Sequence, residues 1–153
     1  MKLSRNLRLA EMIRSESAKR LGISNQPTEE HIENMKRFAM MVFEPIRARF
    51  DTPIYISSGY RSEKLNKAIK GSPTSQHCSG EAADIDMDGS SVITNADVFH
   101  YIKDNLEFNQ LIWEFGDDKN PDWVHVSYTK EGNRKQVLVA YKDDKQTKYK
   151  HWL

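Results

Sequence analysis

Apolar residues recur at three- and four-residue intervals in the first third of the chain, which is the periodicity of helices with one buried face. Residues 7–20 show this pattern and are followed by Gly22, a residue type common just after a helix, so we expect one short helix or a pair there. A longer helix is predicted from Thr28, a favourable N-cap, through an apolar face that ends at Ile46. Pro45 is expected to bend its last turn.

The rest of the chain is dominated by short apolar and alternating segments that are typical of β-strands. Two helices interrupt them, a short one over residues 64–69 and a longer one over residues 95–106. The tail after residue 141 is mostly polar and is interpreted as solvated surface. The predicted strands cover residues 54–57, 81–87, 110–115, 123–128 and 137–141.

The order of these elements predicts the fold class. Helices come first and most strands come later, which is an α+β pattern and not a βαβ alternation. We therefore expect a single domain over residues 1–153, with N-terminal helices packed on a small antiparallel sheet. A chain of this length can bury a core without help from a metal, so a bound metal would serve function.

Composition excludes several classes of partner. The 23 basic and 22 acidic residues nearly balance and form no long block of one sign, so we expect no nucleic-acid partner. The charged N-terminus lacks the apolar core of a signal peptide, and no segment is apolar enough to span a membrane. We expect a monomer made in the cytoplasm, with no membrane partner. Its single cysteine, Cys78, is interpreted as a packed thiol.

The segment from His77 to Gly89, HCSGEAADIDMDG, concentrates groups that bind metals. Its second half has the alternating aspartates that open a calcium-binding EF-hand loop. That interpretation fails at the twelfth loop position, where Asn95 stands in place of the required glutamate. The flanking helices of an EF-hand are also missing.

A zinc site is the better interpretation, since catalytic zinc takes three protein ligands and leaves one position open. His77 and Asp84 supply two ligands, and His125, in the middle of an apolar strand, is the candidate for the third. A lone histidine in a strand is usually structural, but two histidines together with an aspartate favour a metal site. Asp122 lies three residues before His125, close enough for its carboxylate to act as a general base on a metal-bound water. The alternative interpretation is a turn residue after Pro121.

These residues carry a resemblance to a known family. Ser75 to Asp84 resembles the S-x-H-x-x-G-x-A-x-D signature of the zinc D-alanyl-D-alanine carboxypeptidase family, which shares its fold with the hedgehog signalling domain. All five specified positions match. The segment Ser58-Gly-Tyr-Arg-Ser62 and the strands around residues 111–114 and 123–127 are also similar, and the likeness covers most of residues 5–130.

The resemblance implies a role for each candidate residue. It implies one Zn²⁺ per chain, held by His77, Asp84 and His125, with Asp122 as the general base where many members have glutamate. Because aspartate is shorter, Glu114 on the neighbouring strand is kept as the rival base. Substrate binding is expected from three residues: Arg61, whose guanidinium offers a rigid fork of donors, Ser75 and Gln76. Asp86 is a candidate acceptor that orients a ligand histidine.

One further position departs from the family pattern. Trp123 stands where some members have another histidine, so any help to an oxyanion from that position is absent here.

The function implied by the resemblance is hydrolysis of peptidoglycan stem peptides, as a D,D-carboxypeptidase or an endopeptidase. A wall enzyme without an export signal resembles phage lysis enzymes and virion-associated peptidases. The alternative, from a different class, is a zinc-containing module of the same fold that binds without cleaving, as the hedgehog domain illustrates.

Overall fold

The computed structural model describes residues 1–153 and contains six α-helices. The predicted N-terminal helix is a pair, and the second helix of the pair ends at Gly22, whose left-handed φ of 65° suits glycine. The α-helices are α1 (Leu9–Ile13), α2 (Glu16–Leu21), α3 (Glu29–Phe38), α4 (Glu44–Phe50), α5 (Glu63–Ala68) and α6 (Asn95–Asn105).

The long helix predicted from Thr28 consists of α3 and α4, joined by a π-helical turn over Ala39–Phe43. Thr28 is the N-cap, and its Oγ1 accepts a hydrogen bond of 3.2 Å from the backbone N–H of His31. The wider turn lies directly before Pro45, which lacks the amide hydrogen that a regular helical ladder requires.

Eight strands form two sheets. The first is a small hairpin near the N-terminus, which the sequence pattern did not predict, and the second has six strands in the order β3-β4-β6-β5-β7-β8. The strands are β1 (Lys2–Ser4), β2 (Leu7–Arg8), β3 (Ile56–Ser58), β4 (Ala82–Ile85), β5 (Gln110–Glu114), β6 (Trp123–Ser127), β7 (Gln136–Asp143) and β8 (Gln146–His151).

The expected α+β class is confirmed, but the sheet is mixed where an antiparallel sheet was predicted. β5 and β7 run parallel, while every other neighbouring pair is antiparallel. The end of β6 at Ser127 and the start of β7 at Gln136 both pair with Gln110. The connecting loop therefore only crosses the start of β5, and β7 must run opposite to β6 and along β5.

The polar tail, interpreted as solvated surface, is also different in the structure. Half of it is β8, which pairs with β7 from Gln146 to His151 and forms one edge of the sheet. Every residue of β8 is exposed, so the strand has no buried face and no alternating apolar pattern in its sequence.

The core lies on one face of the six-stranded sheet. Alternate residues of the central strands, such as Val124 and Val126 of β6, are fully buried against the helices. Residue 125 between them must therefore point to the opposite face. That face is covered by loops and not by helices, and it bears the candidate site. No helix of the structure combines the length and apolar character needed to cross a membrane.

Candidate metal centre

A cavity of about 910 Å³ lies over the open face of the sheet and is lined by most of the candidate residues, which come from several strands and loops. The floor of the cavity consists of three successive rows, and each row contains residues that pair across neighbouring strands. The middle row contains Asp84, His125 and Ile112; the first contains Gln110 and Gln136; the third contains Trp123, Glu114 and, beyond the small Ala140, Tyr149.

Three predicted metal ligands meet in the middle row. Asp84 and His125 are cross-strand partners on β4 and β6, and His77 reaches them from a 3₁₀ turn over Gln76–Ser79. Asp84 Oδ1 lies 3.3 Å from His77 Nε2 and 3.1 Å from His125 Nδ1. One ligand atom from each residue falls within 4.8 Å of the others. The structure thus brings together the three residues that the sequence assigned to a metal.

His77 is held in the tautomer that a metal ligand needs. Its Nδ1 donates a hydrogen bond of 2.7 Å to the carbonyl oxygen of Gly59, and its ring is 2% exposed. In the neutral ring, which is the form that binds a metal, the lone pair of Nε2 therefore faces Asp84 and His125. This orienting role had been assigned to Asp86. In the structure, Asp86 instead accepts hydrogen bonds from Asn95 and from the backbone of Asp88.

The donor set fits zinc better than calcium. Bonds of about 2.0–2.1 Å to nitrogen and oxygen in a tetrahedral centre put neighbouring ligand atoms about 3.3 Å apart, close to both distances from Asp84. Two imidazoles and one carboxylate are a typical ligand set for catalytic zinc, whereas calcium prefers oxygen alone. Asn95, at the twelfth position of the rejected calcium loop, is buried and donates to the carbonyl oxygens of Pro121 and Asp122.

The two carboxylates of the cavity have opposite pKa shifts. Burial raises the pKa of Asp84, but the charges on His77 and His125 and the hydrogen bonds from both rings outweigh burial and hold it below its usual range. Burial raises the pKa of Glu114 to about 7; the charge on His125 opposes this shift and that on Asp84 adds to it. Asp84 is therefore suited to bind a cation, and Glu114 to exchange a proton near neutral pH.

Asp122 lies apart from this arrangement. Its side chain is exposed and does not line the cavity, while Glu114 is 8% exposed and does. The backbone N–H of Asp122 donates to the carbonyl oxygen of Glu114, so the two residues are close in the backbone but face different surroundings. Spacing in the sequence favours Asp122 as the general base, whereas strand register on the sheet favours Glu114.

The predicted substrate-binding residues all line the cavity. Arg61 Nη2 donates to Ser75 Oγ over 3.3 Å, while its buried Nε has no partner. Gln76 Oε1 accepts a hydrogen bond of 2.9 Å from Asn109 Nδ2. Trp123 stands beside the metal ligands with its ring centroid 5.5 Å from that of Phe115.

Sequence reasoning missed the contribution of the C-terminal segment to the cavity. Arg134, from the loop before β7, and Tyr149, from β8, line it together with other residues of the β7–β8 hairpin. No motif marks these residues, because their position depends on the unpredicted strand β8 and on the parallel pairing of β7. Cys78 is half-buried, and burial raises the pKa of its thiol, which agrees with a packed thiol.

Comparison with protein families places these residues in a family. A family model described as Peptidase M15 matches residues 5–127, which include the three candidate ligands, Glu114 and Asp122. The match confirms the resemblance carried by the segment from Ser75 to Asp84. Arg134, β7 and β8 lie beyond the matched residues. Among curated proteins, none matches the chain significantly.

Proposed function

Since this chain belongs to the Peptidase M15 family of metallopeptidases, we propose that it uses one zinc ion to hydrolyse peptide bonds in the stem peptides of peptidoglycan. The observation that carries the proposal is the joint placement of a ligand triad and a proton-exchanging carboxylate in one open cavity. His77, Asp84 and His125 would hold the metal, and Glu114 occupies the next row of the same sheet face.

When bound, zinc supplies a Lewis acid for the scissile carbonyl and lowers the pKa of water at the site. Glu114 acts as the general base that takes a proton from the attacking water, and then as the acid that passes it to the leaving amine. Its pKa near neutrality supports this double use, since the group must begin ionised and end protonated. Asp122 is the rival for the role, because it stands where the family resemblance puts an acidic residue.

Arg61 is assigned to substrate orientation. Its guanidinium lines the cavity beside the 3₁₀ turn that carries His77, and the backbone N–H of Arg61 donates to the carbonyl oxygen of His77. A planar fork of donors binds a carboxylate or a carbonyl in a fixed orientation. Ser75 supports the fork through its hydroxyl, and Gln76 offers its side-chain amide to the peptide backbone.

The proposed substrate class and biological setting are based on the family resemblance. Peptidoglycan stem peptides are the substrates that the resemblance implies, and a phage lysis or virion-associated enzyme is the setting that we propose. The long, open cavity supports a peptide substrate, since three rows at about 7 Å spacing accommodate several extended residues.

The test is digestion of purified peptidoglycan by the zinc-loaded wild type, Glu114→Gln and Asp122→Asn, with released fragments identified by mass spectrometry. We expect new amino termini with the wild type, near-wild-type cleavage with Asp122→Asn, and a loss of at least about 100-fold with Glu114→Gln. The mass of the fragments identifies the bond that is cut.

Two results would contradict parts of this proposal. Loss of activity in Asp122→Asn alone would move the base to Asp122. No cleavage by a zinc-loaded wild type would favour the non-catalytic binding module.

A further inference from the structure

The cavity is lined by carboxylates from strands and by cations from loops. Its only lining carboxylates are the ligand Asp84, in the middle row, and Glu114, in the third. Its lining cations other than histidine are Arg61, Lys70 and Arg134, which come from loops. None of these three cations forms an ion pair within the chain.

Arg134 is held in place by a buried amide network. Its Nε donates a hydrogen bond of 3.0 Å to Asn109 Oδ1, and Asn109 is 6% exposed. Asn109 Nδ2 in turn donates to Gln76 Oε1, next to the ligand His77. Arg134 Nη1 and Nη2 have no partner in the chain, so both terminal nitrogens are free to bind a ligand.

The register of β5 places this guanidinium along the cavity. Asn109 lies three residues before Ile112, the β5 residue of the metal row, and a strand rises about 3.4 Å per residue. The partner of Arg134 is therefore about 10 Å from the metal row, in the direction opposite to Glu114. An extended substrate peptide covers this distance with about three residues.

We propose that Arg134 binds a carboxylate of the substrate about three residues from the scissile bond and thereby selects acidic peptides. The inference rests on the proposed peptidase function and deepens it. A guanidinium with Nε already bonded and two free terminal nitrogens presents a donor pair suited to a carboxylate. Because Arg134 lies beyond the residues matched by the family model, this selectivity belongs to the C-terminal segment of this chain.

The test measures binding apart from cleavage. Stem peptides are released from purified peptidoglycan, their amino groups are acetylated, and half of the sample is converted to carboxamides with carbodiimide and ammonia. Both forms are titrated by calorimetry into zinc-loaded Glu114→Gln protein, with mass spectrometry confirming that the peptides stay intact. The same titrations are repeated with Arg134→Gln, Arg134→Lys and Lys130→Gln added to that background.

Arg134→Gln is expected to weaken binding of the free-acid peptide by about tenfold, the value of one charge-assisted contact, and to leave the amidated peptide unchanged. Arg134→Lys should recover part of the loss, since it restores the charge without the planar fork. Lys130→Gln is the matched control, because it removes one charge from an exposed residue of the same loop outside the cavity. It should bind both peptides as the background protein does.

Three results would count against one claim or the other. An unchanged preference for the free acid in Arg134→Gln would overturn the assignment of Arg134. Selective binding that depends on Arg134, with no cleavage by the wild type, would contradict the peptidase function and leave the assignment standing. No binding of either peptide would contradict both.

Discussion

Glu114 ends strand β5 with a carboxyl group that is 8% exposed and faces the metal ligands. A buried carboxylate without a cation partner destabilises the folded chain when it is ionised. The rise of the Glu114 pKa from 4.5 to about 7 reflects this destabilisation. The two pKa values also define the pH range over which the destabilisation develops. Glu114 thus combines the position proposed for the general base with a penalty in stability, a combination common in active sites.

This cost predicts the effect of Glu114→Gln on the metal-free protein. Below pH 4.5 the group is protonated in both the folded and the unfolded chain and costs nothing. As the pH rises from 4.5 to 7, the unfolded chain releases its proton first, so stability falls and then stays low above pH 7. The pKa difference corresponds to roughly 3 kcal/mol at most.

Urea unfolding in the presence of a chelator measures this directly. Glu114→Gln should be more stable than the wild type at pH 8, and the advantage should shrink as the pH is lowered towards 4.5. Asp122→Asn serves as the control, since its side chain is exposed and should show no such trend. A Glu114→Gln advantage that is constant with pH would contradict the burial argument.

At the residue scale, the three ligands predicted from the sequence lie together in the structure, while Asp122 and Glu114 both stay candidates for the base. His77 and Asp84 belong to one local motif, and His125 lies in a strand whose apolar neighbours mark it as unusual. The choice between Asp122 and Glu114 depends on which residue points into the cavity. That direction follows from the pairing of β5 with β6, which local spacing does not specify.

At the scale of elements, the loop after β3 links α1 to the metal centre. The backbone N–H of Tyr60 donates to the carbonyl oxygen of Met12 over 2.7 Å, and the carbonyl oxygen of Gly59 accepts from His77. A side chain at position 59 would collide with the backbone of Met12. The close approach of this loop to α1 therefore requires glycine and also positions the oxygen that orients His77.

Gly59→Ala should weaken zinc binding without touching a ligand. The added methyl group would push the loop away from α1 and displace the carbonyl oxygen that holds His77, and loss of such a support typically costs 10- to 100-fold in metal affinity. Competition with a chromophoric chelator measures the change. Gly132→Ala is the control, since that position has a left-handed φ of 73° but open space around it.

The Gly132→Ala control should lose about 1 kcal/mol of folding stability from backbone strain and retain wild-type zinc affinity. Equal zinc affinities for Gly59→Ala and the wild type would contradict the role of this loop.

The elements with a strong apolar period were predicted, and those without one were not. α3, α4 and α6 each present an apolar face, and their positions follow from it. β8 is exposed along its whole length, and the parallel β5–β7 pair depends on how a loop crosses the start of β5. Neither feature leaves a local signal in the sequence.

At the scale of the whole molecule, the α+β arrangement places the hydrophobic core and the candidate metal centre on opposite faces of one sheet. One face of the six-stranded sheet packs on the helices and forms the core, and the other supplies the metal row and the two rows beside it. Arg134 and Glu114 lie on opposite sides of the metal row along the strand direction. Because the rows are fixed by strand pairing, the order of these groups across the cavity is fixed as well.

We propose that a metal held by His77, Asp84 and His125 is required for peptide hydrolysis. The most direct measurement is the release of amino groups from purified peptidoglycan by protein stripped with a chelator and then titrated with zinc. We expect no activity in the stripped protein, full activity at one zinc per chain, and no recovery in His125→Ala at the same zinc concentration. Full activity in the stripped protein, or undiminished activity in His125→Ala, would contradict the account.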